Sequence, residues 1–324
     1  MNVELSIIIV SWNVKKELIT ALKSIQEYSP RCDFETIVID NASTDGTSEM
    51  ISGDFPDVIT IENKENRGFA AANNQGIEKS QGQYILLLNP DTILHSGSLD
   101  LLINFMDRNE DVGACGPKLL NADGTVQRSV RRFPTFRAAL YRHTILNLVG
   151  LFRGQYRKWL MKDFTYDVQA DVCQLMGAAL LIRNSIIRQV GAMDEAFFMY
   201  FEEVDLCYRI RQAGWRIVFN PEVVITHIGG SSAEQIPAQK QVMMFMSMLA
   251  FFKKHRGCFA AGVFGIIFKL LVMPMYFYYL CREIVKYIFT FFTFNNDRRL
   301  RCIRRMKNSA LFIVKYSWSF LFRL

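Results

Sequence analysis

The sequence of 324 residues predicts an α/β protein with a doubly wound, mostly parallel sheet and a C-terminal region of different character. Short β-branched and apolar runs alternate with helical patterns from the start of the chain. The run Tyr84–Leu88 has no charged residue, as expected of a strand buried on both faces. Charge separates the C-terminal region: residues 250–324 carry 14 Lys or Arg against two acids, whereas residues 1–249 carry 24 against 29.

The first four predicted strands are separated by predicted helices. The strands cover residues 5–10, 34–39, 58–61 and 84–88, and the helices cover residues 14–28, a short stretch after Gly46 and residues 70–79. Ser43 or Thr44 is a suitable N-cap for the short helix. Because parallel strands need long crossover connections, this alternation favours a parallel sheet.

Polar residues follow each of these four strands where the strand ends. They are Ser11 and Asn13, Asp40 and Asn41, Asn66 and Gly68, and Asn89 and Asp91. At one strand end such residues are ordinary turn formers. Four such ends at the same edge of a parallel sheet predict a ligand cleft, because open α/β sheets bind ligands there.

The sequence disfavours the two common phosphate-binding loops. A dinucleotide fold needs G-x-G-x-x-G after its first strand, and residues 11–17 contain no glycine. No Walker motif occurs either. A nucleotide bound here would need its phosphates neutralised in another way, and a divalent metal on Asp91 would serve.

The middle of the chain is predicted less completely. We expect a helix over 98–106, a strand over 112–115 with a turn at Gly116-Pro117, and a hairpin turn over 121–125. Three arginines then follow, and they lie either in a solvated loop or against phosphates: Arg128, Arg131 and Arg132. Residues 136–166 have no clear periodicity, which is compatible with a mobile lid.

Three acids begin a predicted helix in the second half: Glu202, Glu203 and Asp205. Acids at a helix N-terminus are ordinarily partners of the helix dipole. A third acid behind the aromatic run 197–201 indicates instead a raised pKa and a general base. Strands are predicted over 178–182, 215–219 and 223–226, and His227 after the last is either a hydrogen-bonded core residue or a metal ligand.

Together these motifs resemble glycosyltransferase family 2, the inverting GT-A enzymes, and within it the bacterial rhamnosyltransferase-like subgroup. The matching segments are residues 6–13, 38–46, 66–74, 88–91, 201–206 and 227–230. The resemblance implies that Asp40 contacts the nucleobase, that Asp91 and His227 bind Mg²⁺ or Mn²⁺, and that Glu203 deprotonates the acceptor. It also implies nucleotide-sugar contacts from Ser11, Asn13, Asn41, Asn66, Gly68, Asn73 and Asn89.

The sequence departs from the family pattern at two positions. Asn89 replaces the first acid of the D-x-D motif, so one metal ligand is weaker or absent. The base motif reads Glu-Glu, which leaves Glu202 and Asp205 as rival candidates for the base. The Q-x-x-R-W motif of processive synthases does not follow the base helix, which favours transfer of a single sugar.

We expect a transferase domain over 1–240, with a donor half over 1–117 and an acceptor half over 118–240. Residues 241–324 are expected to associate with a membrane. In this region, residues 259–281 and 284–294 form two apolar blocks, and a basic cluster and an aromatic stretch follow them. We favour helices held in the cytoplasmic leaflet by anionic lipid, and the alternatives are a membrane span or a buried helical subdomain.

The expected partners are a nucleotide-diphosphate sugar (dTDP-rhamnose first, a UDP-sugar next), a lipid-linked saccharide acceptor in surface polysaccharide synthesis and an anionic membrane, but not nucleic acid. Seven cysteines without a CxxC pair and an N-terminus without a signal pattern favour the cytoplasmic face of the inner membrane. The alternative functions are a non-catalytic sugar-binding module and a nucleotidyltransferase.

Overall fold

The computed structural model describes residues 3–229, 237–290 and 296–316. The chain divides into two compact units. The first unit draws on residues 1–133 and 163–232, and the second on residues 134–162 and 233–324. The division into a transferase domain over 1–240 and a membrane region over 241–324 stays a prediction.

The N-terminal half of the first unit repeats a strand–helix pattern. Its elements are β1 (Leu5–Ser11), α1 (Lys15–Glu27), β2 (Phe34–Asp40), α2 (Thr47–Asp54), β3 (Ile59–Glu62), α3 (Phe69–Lys79) and β4 (Tyr84–Leu88). Every residue of β1 and β4 is buried. The apolar runs of these two strands therefore form the centre of the core, as their sequence predicted.

The rest of the first unit is less regular and is interrupted by two helices of the second unit, α5 and α6. The elements in chain order are β5 (Thr92–Leu94), α4 (Ser98–Arg108), β6 (Val112–Leu120), β7 (Val130–Arg131), α5 (Phe136–His143), α6 (Arg153–Trp159), β8 (Ala170–Asp171), β9 (Gln174–Leu175), β10 (Ala179–Arg183), α7 (Asn184–Val190), α8 (Glu202–Gln212) and β11 (Arg216–His227).

The main sheet has the strand order β3-β2-β1-β4-β10-β6-β11-β5, and β8 pairs with β11. Strands β1 to β4 are parallel, as predicted, and β6 and β11 run in the same direction. Strands β10, β5 and β8 run against them. The ends of β1, β2, β3 and β4 therefore meet at one edge, which is where the sequence predicted the cleft.

Three predictions of local structure were wrong. Gly116-Pro117 is not a turn, because β6 continues to Leu120. The two strands predicted over 215–226 are one strand, β11, with a register shift between Asn220 and Val224 beside Pro117. The irregular ladder accommodates both Pro117 and Pro221, which cannot donate a hydrogen bond. Finally, the residue at the N-cap of α2 is Gly46, which has a left-handed conformation, and neither Ser43 nor Thr44 caps this helix.

The second unit is helical and also contains α9 (Pro237–Arg256), α10 (Cys258–Thr290) and α11 (Asn296–Leu311). Helix α10 joins the first apolar block to most of the second without a break, and Pro274 lies inside it. By length and composition α10 could cross a membrane, with a mean hydropathy of 2.1 in its most apolar window. Residues 291–294 of the second block and residues 317–324 of the aromatic stretch lie outside the described residues.

Candidate active site

Asp40 ends β2 and is buried. Its Oδ1 accepts the backbone N–H of Ser43 at 3.0 Å, and its Oδ2 accepts the Ser48 hydroxyl at 2.6 Å. These bonds fix the loop after β2 and hold the carboxylate in one orientation. The contact of Asp40 with a nucleobase stays a prediction, and the carboxylate that would make it is rigidly placed.

Ser11 and Asn13 lie at the end of β1, beside the loop that follows β2. Asn13 donates its backbone N–H to Ser43 Oγ at 3.0 Å and accepts the Thr44 backbone N–H at 2.7 Å. Ser11 Oγ is buried and has no hydrogen-bond partner among the described residues. Since buried hydroxyls are normally satisfied, Ser11 is a group that a bound ligand could satisfy.

Asn41 shapes the loop before α3 through both ends of its amide. Its Nδ2 donates to Asn66 Oδ1 at 3.0 Å and to the Gly68 carbonyl at 3.3 Å. Its Oδ1 accepts from Asn63 Nδ2 and from the Arg67 backbone N–H, both at 3.0 Å. Asn41 and Asn66 thus position this loop, and a direct contact of either with a donor stays a prediction.

Gly68 is where the segment before α8 approaches α3. Its φ is +86°, and a Cβ there would lie 2.6 Å from the Phe198 carbonyl oxygen. That oxygen accepts the Phe69 backbone N–H at 2.7 Å. Asn73 is buried one turn further on and donates to the Phe69 carbonyl at 2.9 Å. Only glycine combines this conformation with so close an approach.

The structure brings Asn89, Asp91 and His227 together. His227 Nε2 lies 3.2 Å from Asp91 Oδ1 and 3.2 Å from Asn89 Nδ2. The three residues meet because His227 ends β11 opposite Thr92 of β5, and because the Ile228 N–H donates to the Asp91 carbonyl at 3.0 Å. Asp91 and His227 are both buried. The sequence predicted these partners although they are far apart in the chain.

Gln127 sets the tautomer of His227, and the sequence did not identify it. Its Nε2 donates to the His227 carbonyl at 3.1 Å and to Asn121 Oδ1 at 2.9 Å. Its Oε1 therefore faces His227 Nδ1, at 2.7 Å, and can only accept from a protonated nitrogen. In the neutral imidazole the lone pair is then on Nε2, which points towards Asp91 and Asn89. Only the position of Gln127 just after the predicted hairpin turn hinted at this role.

These residues fit a divalent cation that also binds phosphate. Asp91 offers a carboxylate oxygen, and His227 offers an imidazole lone pair whose other ring nitrogen is hydrogen-bonded, as is usual for metal-ligating histidines. No group of three or more His, Cys, Asp or Glu side chains able to hold a metal occurs in the part of the chain that the structure describes. A Mg²⁺ or Mn²⁺ ion here would therefore take its remaining ligands from water and a diphosphate.

Asp205 is held in an ion pair. It is fully buried and accepts Arg209 Nε at 2.8 Å, one turn further along α8. Arg209 also donates to the carbonyls of Val190, Gly191 and Ala192. This pair ties α8 to the end of α7, which favours a structural role for Asp205 over the rival role of base.

Glu202 and Glu203 lie in the first turn of α8, and each has a buried Oε2 without a hydrogen-bond partner among the described residues. Burial raises the pKa of both carboxyl groups, and the charge of Glu203 raises that of Glu202 further. The guanidinium of Arg131 partly offsets the rise for Glu203. The sequence predicted a raised pKa here, and its direction is confirmed.

Tyr200 and Phe201 form a strained turn into α8. Both have positive φ angles, 69° and 70°, which cost non-glycine residues about 1–3 kcal/mol each. The Tyr200 hydroxyl is buried without a hydrogen-bond partner among the described residues, and burial together with the two glutamates raises its pKa to about 12. The aromatic run was visible in the sequence, but the position of this hydroxyl beside the acids was not.

Two adjacent residues connect the acids to the Asp91 group. The Asn89 N–H donates to the Ala178 carbonyl at 2.9 Å. A Cβ on the preceding residue, Gly177, would lie 3.3 Å from the Cβ of Glu203. Glu203 therefore lies beside the turn whose Ala178 carbonyl bonds to Asn89. This turn links the predicted base to the segment that carries Asp91, a predicted metal ligand.

The three predicted arginines differ in burial. Arg131 lies in β7, is half-buried and is close enough to Glu203 to affect its pKa. Arg128 and Arg132 are exposed. Contact of any of the three with an acceptor or a phosphate stays a prediction, and Arg131 is the best placed.

Comparison with known proteins shows which family the chain belongs to. Residues 6–168 match the family model described as glycosyl transferase family 2. The chain is 30% identical over 239 residues to the N-acetylglucosaminyl-diphospho-decaprenol L-rhamnosyltransferase of Mycobacterium tuberculosis, covering 69% of this chain and 76% of that protein. Glu203 and His227 lie beyond the segment that matches the family model.

Two solved structures share the fold. One is a mannosyltransferase from Pyrobaculum calidifontis in complex with GDP-Man and Mn²⁺, with a TM-score of 0.52 and 16% identity over 98% of this chain and 88% of that one. The other is GalNAc-T7 with UDP, GalNAc and Mn²⁺, with a TM-score of 0.52 and 18% identity over 69% of this chain and 44% of that one. The GT-A fold that the sequence predicted is confirmed, and the chain is a glycosyltransferase that belongs to glycosyl transferase family 2.

Proposed function

We propose that this protein is a metal-dependent, inverting glycosyltransferase that moves a single sugar from a nucleotide-diphosphate donor to a lipid-linked saccharide. The observation that carries the proposal is the position of the half-buried Glu203, whose pKa is raised by burial of its carboxyl group. It lies beside the turn whose Ala178 carbonyl bonds to Asn89, and Asn89 is next to Asp91 and His227. A diphosphate leaving group and an acceptor hydroxyl need these two kinds of group around one sugar.

The donor side of the site is the edge formed by the ends of β1 to β4. We propose that Asp40 contacts the base of the nucleotide, since its carboxylate is fixed by Ser43 and Ser48. Ser11 Oγ is buried without a hydrogen-bond partner among the described residues, and a hydroxyl or amide group of the nucleotide sugar would satisfy it. Asn41 and Asn66 hold the neighbouring loop in place.

Asp91 and His227 are the residues that would hold Mg²⁺ or Mn²⁺, which supplies positive charge to the diphosphate as it departs. Gln127 Oε1 faces His227 Nδ1, so in the neutral imidazole the lone pair on Nε2 is available for this purpose. Asn89, in the place of a second acid, donates to Nε2. A site with one carboxylate is expected to bind the ion weakly without the diphosphate of the donor.

Glu203 is the proposed base. A carboxyl group with a raised pKa is a stronger base when ionised, and it accepts the proton from the acceptor hydroxyl as that oxygen attacks the anomeric carbon. The hydroxyl attacks from the side opposite the leaving diphosphate, so a single displacement inverts the anomeric configuration. Asp205 is occupied by Arg209, which leaves Glu202 as the remaining rival.

The acceptor and the donor are proposed from the relative in Mycobacterium tuberculosis, whose name gives a diphospho-decaprenol acceptor and rhamnose. We propose dTDP-rhamnose as the first donor to test, with UDP-sugars next. The long apolar helix α10 and the basic helix α11 support membrane association. The cytoplasmic face of the inner membrane is the proposed location, because nucleotide sugars are made in the cytoplasm.

The test is a donor screen with the purified full-length chain in detergent micelles. N-acetylglucosaminyl-diphospho-polyprenol is the acceptor, and dTDP-, UDP- and GDP-sugars are offered with Mg²⁺ or Mn²⁺. The expected result is transfer of one sugar, with the anomeric configuration in the NMR spectrum of the product opposite to that in the donor.

Three outcomes would contradict the proposal. Donor binding without turnover on any acceptor would favour a sugar-binding module. Formation of a nucleotide sugar from a nucleoside triphosphate and a sugar phosphate would favour a nucleotidyltransferase. Retention of configuration in the product would refute the single displacement.

A further inference from the structure

The second unit contains a cavity of about 420 Å³ between the C-terminal end of α10 and helix α11. We infer that this cavity binds the phosphate or diphosphate headgroup of a membrane lipid. The inference rests on the proposed membrane-bound acceptor, but its test measures binding, whereas the proposed function is tested by sugar transfer. Either can therefore fail alone.

The walls of the cavity are predominantly cationic. Four basic side chains line it: Lys286, Arg298, Arg301 and Arg305. One acid, Glu283, lines it as well. The lining therefore carries a net charge of +3. Arginine presents a planar fork of donors that matches the oxygens of a phosphate, so an anion of this kind is the ligand that the cavity is built to take.

Glu283 is paired with two of the four lining cations, Lys286 and Arg305. It is almost fully buried, and its Oε1 accepts Arg282 Nη2 at 2.8 Å and Lys286 Nζ at 3.3 Å. Arg305 Nη1 lies 3.9 Å from Oε2. One carboxylate shared by several cations cannot neutralise them, but it reduces their mutual repulsion before a ligand arrives.

The surface beside the cavity indicates that the ligand is a lipid. Phe289 lines the cavity and is 64% exposed. Ile284, Val285 and Ile288 in the same stretch of α10 are also exposed, as is Leu300 of α11. Large apolar side chains next to a cationic pocket are unfavourable in water and suit the boundary between acyl chains and headgroups. Nucleic acid would not use these apolar side chains.

The test compares two charge-matched double variants of the full-length chain. Arg301→Gln with Arg305→Gln removes two cations that line the cavity. Arg304→Gln with Lys307→Gln removes two exposed cations of α11 that do not line it. Binding is measured by flotation with phosphatidylcholine vesicles that contain a polyprenyl diphosphate, with equimolar phosphatidylglycerol and phosphatidylcholine vesicles, and by calorimetry with inorganic pyrophosphate.

We expect the cavity variant to lose about 100-fold in affinity for diphosphate vesicles, because two hydrogen bonds to a charged group are lost. The matched variant is expected to lose less than about fivefold, because phosphatidylcholine carries no net charge and its surface attracts exposed cations only weakly. If phosphatidylglycerol shows the same contrast, the ligand is any phosphate headgroup. If only the polyprenyl diphosphate does, it is the lipid carrier.

Three results would overturn the inference. Equal losses in the two variants would show that charge spread over α11 attracts the membrane without a site. Binding of pyrophosphate alone, with no difference between the variants on vesicles, would exclude a lipid ligand. Absence of binding by the unaltered protein in all three assays would exclude the site. Circular dichroism and melting temperatures of both variants verify that each is folded.

Discussion

Replacing Gln127 with Ala is expected to weaken Mn²⁺ binding although Gln127 is not itself a proposed ligand. Gln127 Oε1 accepts from His227 Nδ1 at 2.7 Å, and its amide nitrogen holds the His227 carbonyl at 3.1 Å. Without the side chain, the imidazole can protonate Nε2 in place of Nδ1 and can rotate away from Asp91. Loss of such a supporting hydrogen bond lowers metal affinity by about 10- to 100-fold, which corresponds to about 1.4–2.7 kcal/mol.

The affinity is measured by electron paramagnetic resonance of free Mn²⁺ in the presence of saturating dTDP. Gln189→Ala is the matched control, because Gln189 Oε1 likewise accepts a ring N–H, from Trp215 Nε1 at 2.9 Å, outside the proposed site. Gln127→Glu keeps an acceptor facing Nδ1–H and is expected to restore much of the affinity. Unchanged Mn²⁺ affinity in Gln127→Ala, with affinity lost in Asp91→Ala, would refute the role given to Gln127.

Three further predictions concern the acids and the turn before them. Glu202→Gln should raise the melting temperature at neutral pH but not at acid pH. Burial raises the folded-state pKa of Glu202, so the contribution of this carboxyl group to the stability of the unaltered protein is lost as the pH rises through that pKa. An equal rise in melting temperature at both pH values would contradict this. Asp205→Asn should destabilise the fold by about 3–5 kcal/mol, measured by urea unfolding, because it breaks a buried pair with Arg209; an inactive but fully stable variant would instead identify Asp205 as the base. Gly68→Ala should cost about 1–3 kcal/mol, because the new Cβ meets the Phe198 carbonyl and φ is positive, whereas Gly53→Ala, where the Cβ meets nothing, is the control; equal stability of the two variants would argue against the close approach.

The sequence predicted the first half of the fold almost completely, because β1, β2 and β4 are short apolar runs that are largely buried. It failed where tertiary pairing overrides local signals. Pro117 and Pro221 indicate strand ends in isolation, yet β6 and β11 continue past them through an irregular part of their ladder. The pairing of these strands cannot be predicted from either one alone.

The candidate site shows the same limit. Positions at the ends of elements made Asp91, His227 and Glu203 candidates, and the resemblance to glycosyltransferase family 2 selected their roles. Gln127 could not be found, since its role depends on a hydrogen bond across 100 positions of sequence. Asp205 could not be separated from Glu203 either, because only the structure reveals the ion pair with Arg209.

The central claim is that Glu203 is the base that activates the acceptor hydroxyl, and Glu203→Gln tests it most directly. The measurement is kcat for sugar transfer to the lipid-linked acceptor, together with the Kd of the nucleotide-sugar donor and the melting temperature. The predicted result is a fall in kcat of about 10²- to 10⁴-fold, with donor binding retained and no loss of stability. Turnover at the rate of the unaltered protein would contradict the claim.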